Sequence, residues 1–179
     1  GPVKNLFHFA NLAKSNWQEA VKLFYSDSFA KVLRNGDEQV YLTYLGLSSK
    51  AGNEQCVEEF LIATNKKQKV EYIPSRKALT LSATNEVTEE MVTILRNGWG
   101  YTHLKVNTEG EFLFTEKSVI TEDDFLGNYC NLPVYIDSSK LHAGRNFGSI
   151  ELVSAYGKVS ISIEVKQNRG NEKQWEKEH

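Results

Sequence analysis

The sequence predicts an α+β protein, a series of short helical hairpins followed by an antiparallel β-sandwich. Three observations lead there. In the first third, apolar residues recur at three- and four-residue spacing; from about residue 67 the spacing changes to two; and about seven short alternating segments then follow at roughly 8–12-residue intervals with no helical pattern between them. The expected organisation is a helical segment over 1–66, a sandwich over 67–166 and a charged linker or tail over 167–179, where periodicity stops.

Leu6, Phe9, Ala10 and Ala13 mark a first helical face, and Trp17, Ala20, Val21 and Phe24 a second. Asn16 followed by Glu19 fits a capping box, in which each side chain satisfies a backbone N–H at the helix start. Ser26 or Ser28 can cap a third helix that stops at Asn35-Gly36, with the glycine taking the left-handed position. Asp37 can cap a fourth that carries Val40, Tyr41, Tyr44 and Leu45 toward Gly52, and Asn53 a fifth with Cys56, Val57, Phe60 and Leu61. The rhythm is that of stacked helical hairpins, without a second copy at a fixed period.

In the β region, Pro74-Ser75-Arg76 interrupts the first strand, and Leu79, Leu81 and Ala83 then alternate with Thr80 and Ser82. A longer strand is expected over 87–96, around Met91-Val92-Thr93-Ile94-Leu95, and Asn97-Gly98-Trp99-Gly100 turns the chain. Further strands are expected at 101–106, 132–137, 148–155 and 158–165, with a hairpin at Glu109-Gly110 leading to Phe112 and Phe114. Val159, Ile161, Ile163 and Val165 against Ser160, Ser162 and Glu164 give one dry and one wet face, as in an antiparallel sheet that covers a core on one side.

Composition narrows the function classes. With 40% hydrophobic and 25% charged residues the chain has the balance of a globular protein, and no apolar stretch approaches the roughly 18–20 residues of a membrane helix. Net charge is −2 and evenly spread: residues 1–66 carry seven bases and seven acids, residues 67–166 eleven and thirteen. Phosphate binding needs clustered Lys and Arg, so nucleic acid is not an expected partner. Gly1-Pro2 reads as the scar of a protease cut. Cys56 and Cys130 cannot build a disulfide framework, and two free buried thiols favour a reducing, cytoplasmic setting.

Residues able to do chemistry are few. His8, His103, His142 and His179 share no metal-binding spacing, and Cys130 with His142 is the one thiol–imidazole pair near in sequence. A buried small hydrophobe is the better reading of Cys130. Glu122-Asp123-Asp124, with Asp137, offers oxygens for calcium but lacks the glycine-punctuated loop that shapes such a site. No metal, cofactor or catalytic residue is assigned. Trp99 and Tyr101 could form a ligand platform, since loop aromatics stack on sugar rings; the competing reading makes Trp99 a plug at one end of the sandwich, and Leu141 with Gly144 a second plug.

Two stretches carry a family resemblance. Asn5 to Ser26 (NLFHFANLAKSNWQEAVKLFYS) resembles a segment near the front of very large multidomain proteins of anaerobic Gram-positive bacteria, grouped as a domain-of-unknown-function family. Asn97-Gly98-Trp99-Gly100-Tyr101 and Leu141 to Gly148 (LHAGRNFG) are similar to the next part of the same proteins. The resemblance implies no activity. More broadly, a strand into Asn-Gly, then Tyr-Ile-Asp, then Leu-x-x-Gly before a final hairpin looks like immunoglobulin-like modules of bacterial multidomain proteins.

The expected function is therefore a non-catalytic interaction or spacer module, not an enzyme, with a carbohydrate-binding sandwich as the alternative. The expected partner is a protein or a neighbouring domain of the same polypeptide. Nine aromatic side chains among Phe7, Phe9, Trp17, Phe24, Tyr25, Phe29, Tyr41, Tyr44 and Phe60 load the short helices, and part of them is expected to stay exposed as a docking patch.

Overall fold

The structure, a computed structural model, describes residues 4–49 and 52–167. The tail over 168–179 lies outside the described residues, as does Gly1-Pro2. The chain divides into two compact units: the first runs to Glu71 and also takes in Asn97–Tyr101, and the second comprises Tyr72–Arg96 and the residues from Thr102 onward.

Among the described residues, five helices make the first unit: α1 Leu6–Ser15, α2 Trp17–Phe24, α3 Asp27–Arg34, α4 Glu38–Leu47 and α5 Glu54–Ala63. Each starts behind a short polar side chain that accepts a hydrogen bond from a first-turn N–H: Asn5, Asn16, Ser26, Asp37 and Asn53. Those donors have no partner within the helix, so each cap removes an unsatisfied group. Two stops differ from expectation. Gly36 does not adopt positive φ, and α4 ends at Leu47 rather than near Gly52. The left-handed stop belongs to Asn65, at φ 59, where Lys66 N–H bonds Leu61 C=O and Asn65 N–H bonds Ile62 C=O, the paired closure of a Schellman motif.

The helices bury one another's rings. Phe9, Phe24, Phe29, Tyr44 and Phe60 are all at most 4% exposed and interlock, with centroids 4.4 Å apart for Phe9–Phe29, 5.0 Å for Phe24–Tyr44 and 5.3 Å for Phe24–Phe60. The Tyr44 hydroxyl donates to Phe24 C=O at 2.6 Å, so its burial leaves no polar group stranded. Trp17 donates through Nε1 to Glu54 (2.9 Å) and Tyr25 through its hydroxyl to Asn53 C=O (2.7 Å). Of the nine rings only Phe7, 61% exposed, stands clear of the unit, so the large aromatic docking patch expected on the helices is absent. One buried ring per helix fills so small a core, and the amphipathic rings bury their bodies while bonding their polar tips.

Among the described residues, nine strands make the second unit: β1 Tyr72–Pro74, β2 Ala78–Ala83, β3 Val87–Arg96, β4 His103–Glu109, β5 Leu113–Phe114, β6 Val119–Thr121, β7 Tyr129–Asp137, β8 Gly144–Ser154 and β9 Gly157–Gln167. They form a four-stranded sheet in the order β1-β3-β7-β5 and a five-stranded sheet in the order β2-β9-β8-β4-β6. Inward side chains such as Val92, Ile94, Leu132 and Val134 from the first sheet, and Leu104, Ile150, Ile161 and Ile163 from the second, are essentially sealed. Each such aliphatic contributes roughly 1.5–3 kcal/mol of burial.

The β-sandwich arrangement holds, with two changes of pairing. β2 runs parallel to β9, from Ala78 opposite Ser162 to Ala83 opposite Gln167, so the five-stranded sheet is mixed rather than wholly antiparallel. Parallel partners need a long connection, and β3 to β8 lie between these two in the chain. Glu109-Gly110 does not make a hairpin: β5 pairs with β7, opposite Ile136 and Tyr135, and the chain changes sheets there. The wet outer face expected from the alternation is found on β9, where Ser160 and Ser162 are exposed. It fails on the four-stranded sheet.

Candidate functional site

Trp99 and Tyr101 lie in the first unit, within Asn97–Tyr101. Trp99 is half-buried and packs against the helical core, which corrects its expected place as a plug of the sandwich. Sequence patterns could not foresee this, because the loop reads as an ordinary turn between two strands.

Two side chains that the sequence reading passed over organise this loop. Glu58, on α5, is 1% exposed; its Oε1 lies 2.5 Å from Nζ of Lys67, whose side chain is 3% exposed. Glu58 Oε2 accepts the Tyr101 N–H at 3.2 Å. Lys67 also donates to Gln68 C=O and holds its ammonium 5.1 Å from the Trp99 ring centroid. Asn97 fixes the loop's start, accepting Glu71 N–H at its Oδ1 while its own N–H bonds Glu71 C=O. Between them, at φ +124, Gly100 passes so close that a Cβ would stand 2.6 Å from Glu58 Oε2 and 2.7 Å from Lys67 Cε. Beside the ring, Lys67, Gln68, Lys69, Asn97, Gly98 and Trp99 line a cavity of about 200 Å³. A signal was available in retrospect: Glu58 interrupts the apolar face Val57–Phe60–Leu61, and a carboxylate there requires a cation.

The remaining chemical candidates are spoken for. Cys130 faces the sandwich core on β7, where burial pushes its thiol pKa up; His103 is exposed on β4 of the other sheet; and His142 donates its N–H to Asn146 Oδ1 ahead of β8. Cys56 is half-buried rather than buried, and both thiols are free. Of the acidic run, Glu122 accepts Thr102 N–H (3.2 Å), and Asp124 takes Thr121 N–H (2.9 Å) and pairs with Lys117. Burial works against Asp124's charge, but these bonds outweigh it and hold the carboxyl below its usual range. Asp137 caps the following 3-10 turn through Ser139. Among the described residues, no group of three or more His, Cys, Asp or Glu is gathered as a metal site.

Where the second unit's chain segments begin and end, Thr102 is fully buried; its hydroxyl accepts from the Tyr72 hydroxyl (2.8 Å) and from Arg96 Nη1 (3.2 Å). Arg96 also lies 4.6 Å over the Phe125 ring. These bonds satisfy a polar cluster that would otherwise be costly to bury.

The outer face of the four-stranded sheet carries exposed apolar side chains. Cross-strand register sets Leu95 opposite both Ile73 and Tyr129, Met91 opposite Pro133, and Tyr135 opposite both Glu89 and Phe114. Ile73, Met91, Leu95, Phe114 and Tyr129 are 41–48% exposed there. Phe114 and Tyr135 stack at 5.2 Å with an interplanar angle of 18°. A single antiparallel sheet over one core should be polar outside; here apolar side chains share the face with the hydrogen-bonded pair Thr93–Asn131. The first unit has its own groove, about 460 Å³, where Leu6, Val32, Leu33 and Val40 meet Asn5 and Asp37. Among the described residues no helix is long and apolar enough to cross a membrane.

A search of curated proteins finds no match. Among solved structures, the chain is similar to a protein of unknown function from Porphyromonas gingivalis, at 17% identity and TM-score 0.42, covering 54% of this chain and 46% of that one. It is also similar to a FixG-related protein from Vibrio parahaemolyticus, at 12% identity and TM-score 0.38, covering 56% and 96% respectively. The chain thus spans less than half, 46%, of the Porphyromonas protein. A family model described as "Family of unknown function (DUF5717) N-terminal" matches residues 1–179, and the chain belongs to that family.

Proposed function

We propose that this chain is a non-catalytic interaction module of a larger multidomain protein, of the kind found in anaerobic Gram-positive bacteria, and that it engages a protein or a neighbouring domain. The observation that carries this reading is the apolar outer face of the four-stranded sheet, five of whose side chains are 41–48% exposed. Exposed apolar side chains gathered on one sheet face in this way mark interaction sites. The sandwich is read as immunoglobulin-like because β1-β3-β7-β5 reproduces the order of strands A, B, E and D, and β9-β8-β4-β6 that of G, F, C and C′. The short strands β5 and β6 depart from that plan, since they occur in the reverse chain order.

The test is a photo-crosslinking side chain at Met91, on the apolar face, compared with one at Ser160, on the polar face of the other sheet. Installed in the native protein in its host, position 91 should give a discrete protein adduct and position 160 none. Peptide mapping then separates a neighbouring domain from a second polypeptide. Equal labelling from both positions, or none from either, would overturn the reading.

A second reading, sugar binding through Trp99 and Tyr101, draws support from the cavity of about 200 Å³ beside Trp99. It ranks lower because the Lys67 ammonium, 5.1 Å from the ring centroid, occupies a face that a sugar would stack upon. Saturable quenching of tryptophan fluorescence by a glycan, abolished in Trp99→Ala, would reverse the ranking.

A further inference from the structure

Among the described residues, cations lie against aromatic rings in each unit, and in the first a carboxylate completes the set. In the first unit, Lys67 lies 2.5 Å from Glu58 and 5.1 Å from the Trp99 centroid; in the second, Arg96 lies 4.6 Å over Phe125. A ring presents its negative quadrupole to a cation, and a carboxylate adds a charge-assisted hydrogen bond, so the two together select Lys or Arg.

A third set lies at one end of the apolar sheet face. Phe114, Tyr135 and Glu89 stand in one row across β5, β7 and β3, each opposite the next, so their side chains leave the same face of the sheet. Phe114 and Tyr135 are stacked, and Glu116 follows two residues after Phe114. Desolvation, then the Glu116 and Glu89 charges, push the Tyr135 phenol's pKa up. Both carboxylates are exposed. Ion pairs among the described residues engage Glu58, Glu90, Asp124, Glu151 and Glu164, but not Glu89 or Glu116.

We infer that this end of the face receives a Lys or Arg side chain from the protein segment that docks on the sheet, with apolar residues of that segment covering Met91, Leu95 and Ile73. The inference rests on the docking reading above and gives the partner its chemistry. A second copy packed face on face does not fit: no outward position of β1, β3, β5 or β7 is Lys or Arg, so two such faces would bring acids together without a cation.

The probe is a blocked decapeptide alternating arginine and valine, titrated into the isotope-labelled chain and followed through its backbone amide resonances. The same peptide with glutamate in place of arginine is the control. The arginine peptide should shift Glu89, Phe114 and Tyr135 saturably, and more weakly as salt rises; the glutamate peptide should not. The double variant Glu89→Gln/Glu116→Gln, at exposed positions, should melt like the parent and bind the arginine peptide about tenfold more weakly. Equal shifts from both peptides, no shift from either, or undiminished binding to the double variant would overturn the cation site. Light scattering that shows dimers disrupted by Leu95→Asp would overturn it in favour of a second copy. A discrete adduct from position 91 alongside any of these failures leaves the docking reading standing, whereas loss of the adduct removes that reading itself.

Discussion

Lys67 places its ammonium 2.5 Å from Oε1 of Glu58, with the two side chains 3% and 1% exposed. The pair ties the end of the helical chain to Asn97–Tyr101, because Glu58's other oxygen accepts Tyr101 N–H and Lys67 covers Trp99. Removing one member leaves the other charge buried, which costs about 3–5 kcal/mol. Glu58→Gln and Lys67→Met should each lower helical-unit stability by that order in a denaturant titration. The double variant Glu58→Leu/Lys67→Met should recover much of the loss, since no buried charge remains. Additive losses would show that the pair does not act as a unit.

Gly100 has no room for a side chain, and its φ of +124 suits no L-residue. Gly100→Ala should cost about 2 kcal/mol or more, because backbone strain and the displaced Glu58–Lys67 pair combine. Gly127 also has positive φ, +66, but a Cβ there meets open space. Gly127→Ala should therefore cost only about 1 kcal/mol. Melting curves of the two variants, measured side by side, check the difference.

Trp99→Ala should destabilise by roughly 3 kcal/mol, the low end for loss of a large packed ring, because the ring is half-buried. The loss should appear in the helical signal at 222 nm, since the ring packs on the helical core. Phe7→Ala, at a 61% exposed ring, should change stability by no more than about 0.5 kcal/mol. A Trp99→Ala melt equal to the parent's would mean that the ring is free for a ligand.

Asp124 has a folded-state pKa below its usual value, despite the opposing effect of burial, through Lys117 and Thr121. A depressed carboxyl stabilises the fold above the unfolded pKa of about 3.9, and that contribution is lost as pH falls through the lower folded value. Asp124→Asn should therefore reduce stability at pH 7 and flatten the acid limb of the stability curve. Identical acid limbs in the two proteins would remove Asp124 from the linkage.

Helix starts, strand faces and the α+β class could be read from the sequence because their causes are local. A capping side chain such as Asn53 acts within three residues of itself, and the alternation of Val159, Ile161, Ile163 and Val165 follows from the pleat alone. Several strand boundaries fell close for the same reason: the strand expected over 87–96 is β3 as it stands. Tertiary structure alone decided pairing and loop placement. Leu79 lies opposite Ile163, and Phe114 opposite Tyr135, across separations over which no local pattern selects the partner. Trp99's place on the helical core depends on Glu58 and Lys67, residues remote from it in sequence that become its neighbours only when α5 and the loop pack together. The outer face was half-legible in Met91-Val92-Thr93-Ile94-Leu95, where Met91 and Leu95 sit at the same parity as the polar Thr93. That Phe114, Tyr135 and Glu89 share one row on it came from register, which non-local hydrogen bonding sets.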